Sequence, residues 1–418
     1  MQKKLLFITS RLLWPIDGGR KMSLNYYCKG LHEQFGYDIY LYCFLENGQH
    51  YDEQYPDYIK NVYIADEVQT SEKINNIIKY TLGPKNWPVQ CSLFYSKSNY
   101  QKICNICKII QPDVVITEMI RTATYYDAFK SDDVVSIANL DDLLSKRYRR
   151  QMGTSRSKAN IVGAYSEKIP VFVNKVFKYQ KIKNILLGYE AKHCEMWERN
   201  FYKTYDYSLF TSPVETNEIN TYMKDNKALT LSVGIDYELF SRDINGLVKE
   251  PNTLSYVGNF KVAANCDTLR MICEEILPLV KSKYKFYVIG SCPDDIRKKY
   301  ESNRIIFTGR VDDLAENIRK TQIFFSPISY GTGIKTKIIE AMAMGLPVIT
   351  NDVGAEGIDG KSGIHFLIEN EYSKLANQVD ELLVNEQLMQ EIGKNAQLFA
   401  YEYFRWEVVY KSFEKAGL

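Results

Sequence analysis

Short apolar runs separated by longer amphipathic stretches constrain this chain more than any other feature. In the first half the runs lie at 5–9, 38–44, 62–65, 113–117, 134–140 and 207–211; in the second, at 253–257, 285–289, 304–307, 323–327, 347–350 and 364–368. Such alternation builds parallel sheets from strand–helix–strand units, because only a crossover returns the chain to the same end of a sheet. The 418 residues exceed what one hydrophobic core usually serves. The predicted class is therefore α/β, with two successive Rossmann-like, doubly wound domains. The first is expected over 1–235 and the second over 236–401, with Gly234, Gly246 and Pro251 punctuating the polar join. A last helix over about 402–418 is expected to pack back on the first domain.

Composition removes several classes of function. Apolar residues at 45% are too many for a disordered chain, and a net charge of +2 gives no general attraction to nucleic acid. The nine cysteines are scattered, and the one close pair, Cys104 and Cys107, has no second pair at zinc spacing. They read as free thiols in a reducing compartment. The opening apolar run is cut by Arg11 before any cleavage site, and no run approaches the roughly 18–20 residues that cross a bilayer. A cytoplasmic protein is the expectation.

One region departs from the rhythm. Residues 143–188 hold eleven Lys or Arg against one acid, Glu167, a local charge of +10. Phe172, Val173, Val176 and Phe177 recur at helical spacing among Lys175, Lys178, Lys181 and Lys183. A helix of this kind fits the surface of an anionic membrane, and it equally fits a cover over the first domain's core with lysines in water.

Two segments carry chemistry. Gly18 and Gly19 follow the first strand and open a helix, where glycine lets backbone approach an anion and unpaired N–H groups attract it. Alone this is weak, and it is not the dinucleotide-binding glycine pattern. The stretch 323–357 is stronger: a strand runs into Gly331-Thr332-Gly333, then into a helix from near Thr336 to Gly345. That places glycine-freed N–H groups and Lys335 at a helix start, where a diphosphate is favoured. Glu340 lies a turn further in, where it can accept hydrogen bonds from two vicinal ribose hydroxyls. Ala341, Met342, Ala343 and Met344 make its surroundings apolar, so its carboxylate needs a partner.

The segment Lys335-Thr-Lys-Ile-Ile-Glu-Ala-Met-Ala-Met-Gly-Leu-Pro-Val-Ile-Thr350, followed by Val353-Gly-Ala-Glu-Gly357, closely resembles the donor-site signature of glycosyltransferase family four. Asp17-Gly-Gly19, Val233-Gly-Ile-Asp236, Tyr256-Val-Gly-Asn259, Phe307-Thr-Gly-Arg310 and Phe404-Arg-Trp406 also fit its pattern. The resemblance implies the GT-B fold, two Rossmann-like domains facing across a cleft, and retaining transfer from a nucleotide-diphosphate sugar to an acceptor held mainly by the first domain; the basic region beside that domain suits a glycan or polyprenyl-linked acceptor at the inner membrane face. It implies donor contacts from Gly18, Gly19, Gly258, Lys261, Gly309, Arg310, Val311, Thr332, Gly333, Ile334, Lys335 and Glu340. No metal and no cofactor beyond the donor is implied, and the Asp-Asp pairs lack any further ligand pattern.

The sequence departs from the family twice. A glutamate eight positions before the second is usual, and Thr332 stands there; basic residues usual just after the second domain's first strand are absent, with only Lys261 before Arg270. The compensating charge is assigned to Lys335 as catalytic cation, with Lys261 and Lys337 as further candidates. In the first domain, Asp142 at a strand end is the catalytic candidate beside the acceptor, and its competing role is a helix cap. A front-face course, in which the leaving diphosphate takes the acceptor's proton, follows from the lack of a carboxylate nucleophile. Two alternatives remain: a partner subunit that binds a nucleotide sugar without transfer, and a nucleotide-sugar epimerase on the same architecture.

Overall fold

The computed structural model describes residues 2–16, 18–46, 48–152, 180–244, 246–331 and 333–418. Two parallel sheets organise it. The first contains β1 (Lys4–Thr9), β2 (Asp38–Cys43), β3 (Ile59–Ile64), β4 (Val114–Glu118), β5 (Val135–Asp141), β6 (Tyr207–Phe210) and β7 (Ala228–Thr230), in the order β3-β2-β1-β4-β5-β6-β7. The second contains β8 (Thr253–Val257), β9 (Lys285–Ile289), β10 (Ile305–Gly309), β11 (Ile323–Phe325), β12 (Val348–Thr350) and β13 (Leu367–Ile368), in the order β10-β9-β8-β11-β12-β13. Each order reverses beside its first strand, between β1 and β4 and between β8 and β11. In doubly wound sheets a crevice opens at such a point, beyond the carboxyl ends of the strands.

The apolar runs became strands because both faces of a parallel sheet are covered. All five residues of β4 are buried, and β11 sends Phe324 to one core cluster and Ile323 and Phe325 to the other, the period of two expected of a strand. β7 was not anticipated; its three residues, Ala-Leu-Thr, are too few to show any period.

Residues up to 152, 180–232 and 410–418 form one compact unit, and residues 233–409 the other. The carboxyl-terminal segment is fixed to the first unit by aromatic packing. Phe413 meets Tyr27 and Phe35 edge-on at 5.8 and 6.1 Å. Of the basic region, helices Leu144–Met152 and Gln180–Thr204 are described, whereas the stretch carrying Phe172, Val173, Val176 and Phe177 lies outside the described residues. Among the described residues no helix is long and apolar enough to cross a membrane.

Candidate functional site

In the second domain, the crevice between β8 and β11 is built by the loop after β11 and the start of helix Thr336–Ala343. The loop is tied down at several points. Asn351 accepts from the N–H groups of Ile328 and Gly354 at 3.0 Å each and donates to the Ile328 carbonyl at 2.8 Å. The Ser329 N–H donates to Thr268 Oγ1 at 3.1 Å, and the Tyr330 hydroxyl to Asp267 at 3.2 Å. Gly333 is buried with φ at 69°, and Gly309, ending β10, has φ at 71°, conformations that an L side chain strains to adopt. Loop and helix start are thus pre-shaped, and they present N–H groups at the crevice.

Helix Thr336–Ala343 carries the two titratable groups that matter most. Lys337 reaches across to the end of β8: its Nζ lies 3.1 Å from the Tyr256 hydroxyl, 3.2 Å from the Val257 carbonyl and 3.1 Å from Asn265 Oδ1, and 4.4 Å from the Tyr256 ring centroid. Burial pushes its ammonium down to about 7, the charge of Lys335 adding to the effect and Glu340 opposing it. One turn on, the partly buried Glu340 carboxylate has no hydrogen-bond or ion-pair partner among the described residues. Burial pushes that carboxyl up to about 7, with the Lys337 charge pulling the other way. A half-covered, unsatisfied acceptor beside a cation suits a ligand that brings both hydroxyl donors and negative charge.

The remaining predicted donor residues divide. Lys335 is the cap residue of the helix, and its ammonium folds back to donate to the Gly333 carbonyl, so it lies at the loop as expected. Ile334 flanks it, partly buried. Gly258 follows β8 directly, and its N–H donates to Ile289 O at 3.0 Å. Lys261 has an exposed side chain, and the sequence ranked it level with Lys337; the structure separates the two, since Lys337 alone meets the end of β8. Arg310 is exposed and Val311 partly buried just past β10. Thr332, the position of the missing glutamate, lies outside the described residues. Among the described residues, no three His, Cys, Asp or Glu are placed to hold a metal ion.

In the first domain the crevice between β1 and β4 holds a charge cluster that sequence reasoning missed. Glu118, wholly buried at the end of β4, accepts from the Ser10 N–H at 2.9 Å, from the Ser10 hydroxyl, and from Arg20 Nε at 3.1 Å. Arg20 Nη1 donates in turn to Asp141 at 2.7 Å. Burial alone would raise the Glu118 carboxyl, but Arg11, Arg20 and the Ser10 hydroxyl outweigh it and hold it at about 2. Met119 and Asp141, at the ends of β4 and β5, have φ at 65° and 70°, strained values for residues with a side chain. The Gly18-Gly19-Arg20 sequence was the available signal, since a charged residue in the first turn of that helix must face the same strand ends.

Asp142, the predicted catalytic carboxylate, is only 2% exposed and is ion-paired with Arg147 five residues on. It stands inside the fold at the head of helix Leu144–Met152, and its neighbour Asp141 is the one that meets Arg20. Gly18 precedes helix Gly19–Glu33 with an extended φ of −164°, and a Cβ there would meet nothing within 4 Å. Neither the backbone nor a neighbour requires a glycine at that point.

Two parallel, doubly wound domains with a ligand crevice at each reversal of strand order define the GT-B class. Whole-chain likeness agrees: sucrose-phosphate synthase from Thermosynechococcus elongatus superposes with a TM-score of 0.71 at 14% identity, over 99% of this chain and 98% of that one. HepE of Anabaena, in complex with UDP and glucose, does so with a TM-score of 0.63 at 12% identity, again over 99% and 98%. More particularly, residues 251–385 match the family described as glycosyl transferases group 1, and the family resemblance carried by the motifs holds. The chain is also 27% identical over 216 residues to the N-acetyl-α-D-glucosaminyl L-malate synthase of Bacillus anthracis, covering 47% of this chain and 55% of that protein. The chain spans about half the length of the curated relatives it matches.

Proposed function

We propose that this protein is a glycosyltransferase that moves a sugar, with retention and without a metal, from a nucleotide-diphosphate donor to a glycan or lipid-linked acceptor. The observation that carries the reading is the unpartnered Glu340 carboxylate standing one turn from Lys337, whose ammonium lies at the β8–β11 crevice. Glu340 takes the ribose hydroxyls. Lys337, Lys335 and the loop N–H groups take the diphosphate and stabilise the charge that builds there as the glycosidic bond breaks. The family match over 251–385 and the UDP held by HepE support a nucleotide donor.

The test is a thermal-shift screen of nucleoside diphosphates, beginning with UDP, followed by the corresponding sugars with donor cleavage as readout. A ligand at a hundred times its Kd stabilises the protein by about 2.7 kcal/mol. A chain whose melting temperature no nucleoside diphosphate raises is not a nucleotide-sugar enzyme. The basic stretch 143–188 would hold the protein at an anionic membrane face; vesicles containing phosphatidylserine should bind it at low salt and release it at high salt.

A further inference from the structure

The loops after β2 and β3 enclose a cavity of about 250 Å³ in the first domain, on the same carboxyl edge of the sheet as Ser10 and Glu118. Phe44, Val68, Leu93 and Phe94 form its apolar walls. Of its polar residues, most are already committed. Gln49 donates to the carbonyls of Leu12 and Trp14 at 3.1 and 2.8 Å and accepts from the Glu46 N–H at 3.1 Å. The Glu46 carboxylate pairs with Arg11 at 3.6 Å and Lys21 at 3.2 Å, Asp66 pairs with Lys102, and Glu67 is exposed to water.

Lys73 differs from all of these. It lines the cavity from helix Thr70–Asn76, is only 7% exposed, and has no ion pair or side-chain hydrogen bond among the described residues. Its stem is buried while its ammonium nitrogen stays accessible at the cavity wall, so the charge is held in place and an entering anion gains a charge-assisted hydrogen bond. The cavity is smaller than the 300–1,000 Å³ or so that holds a drug-sized ligand, which limits the occupant to a small molecule or one terminal group of a larger one.

We infer that this cavity is a subsite for a small anionic acceptor, whose one carboxylate or phosphate pairs with Lys73 while its carbon skeleton lies against Phe44, Leu93 and Phe94. The term acceptor rests on the glycosyltransferase reading; the anion site itself does not.

Calorimetric titration of the full chain tests it with L-malate, D-glucuronate, glycerol 3-phosphate and inorganic phosphate, with D-glucose and glycerol as neutral counterparts. At least one anion is expected to bind at least tenfold more tightly than its neutral counterpart. Binding by a carboxylate alone assigns a hydroxy-acid or sugar-acid acceptor; binding by the phosphates assigns a phosphorylated one. Lys73→Met should weaken that binding at least tenfold, Lys73→Arg should retain it, and both should bind nucleoside diphosphate as the parent does. If no anion binds the unsubstituted chain at millimolar concentration, or if Lys73→Met binds it unchanged, the subsite is overturned. Anion binding without any nucleoside-diphosphate binding would leave the subsite standing and remove the glycosyltransferase reading instead.

Discussion

Replacing Glu340 by glutamine should make the empty protein more stable and the loaded protein much less so. The carboxyl is held at about 7 against an ordinary 4.5 because it is covered and has no hydrogen-bond partner. Each tenfold in proton affinity is worth about 1.4 kcal/mol. The ionised form therefore costs the empty fold at most about 3.5 kcal/mol, and about 2 kcal/mol once its partial exposure is allowed for. The sign follows from the direction of the shift. The cost is absent below pH 4.5, grows as pH rises towards 7, and is complete above it. Glu340→Gln removes that cost at nearly constant volume, so at pH 8 the second domain should melt about 4–8 °C higher than in the parent. At pH 4.5 the two should coincide. With nucleotide the order reverses, because a carboxylate accepts from both ribose hydroxyls whereas an amide oxygen accepts less strongly and its NH2 group opposes a donor. Loss of one charge-assisted hydrogen bond is worth about 1.5–3 kcal/mol, or roughly 10–150-fold in Kd. Scanning calorimetry across pH 4.5–9 and titration with UDP measure both effects. A variant that is no more stable at pH 8 and binds nucleoside diphosphate like the parent would refute the assignment of Glu340 as a carboxylate awaiting a ligand.

Lys337 is charged below about pH 7 in the empty site, and Glu340 is ionised above it, so donor affinity should peak near neutrality. Lys337→Arg, which stays charged, should abolish the loss of affinity on the alkaline side, as followed by Kd against pH. Lys335→Ala should lower transfer by roughly 10²-fold, the size of an electrostatic contact to a leaving group, while shifting the melting temperature little; unchanged turnover would remove Lys335 from the site. In the first domain, Arg20→Met leaves the buried Glu118 with fewer cations and should cost about 3 kcal/mol in urea unfolding, part of which Glu118→Gln should restore. Because the Glu118 carboxyl is depressed to about 2, its contribution is complete above pH 4.5 and lost as pH falls towards 2, and Glu118→Gln should flatten that acid limb.

The strands were legible because each combined a short apolar run with an amphipathic stretch beside it. The runs at 253–257 and 285–289 coincide with β8 and β9, whereas the run at 364–368 shrank to Leu367–Ile368, since Ser362–Phe366 is taken up by a turn closed by Gly363 N–H to Phe366 O at 2.8 Å. Within the site, Glu340 could be read from one helix and its apolar flank, a local property. The Glu118–Arg20–Asp141 cluster could not, because its members are 98 and 121 positions apart and meet only through the strand order. Asp141 and Asp142 pose the converse difficulty. Two adjacent carboxylates at a strand end look alike in sequence, yet the left-handed turn at Asp141 aims that side chain at Arg20 and leaves Asp142 to Arg147 inside the fold.

The basic group expected after β8 invites the same consideration. By sequence position Gly258 is followed by only Lys261 before Arg270, and this favoured Lys335 because it stands at the helix start. Space gives a different ranking. From the second position of helix Thr336–Ala343, Lys337 sets its ammonium 4.4 Å from the Tyr256 ring centroid and 3.2 Å from the Val257 carbonyl, at the end of β8. A cation supplied from the helix differs from one supplied by the loop in one respect. It shares a single turn with Glu340, so the cation proposed for the diphosphate and the carboxylate proposed for the ribose set each other's charge state. Donor binding should then take up protons at pH 8, where Lys337 is largely neutral in the empty site, and the uptake should disappear in Lys337→Met. Titration in buffers of different ionisation enthalpy measures it. Proton uptake that persists in Lys337→Met would place the titrating cation elsewhere in the crevice.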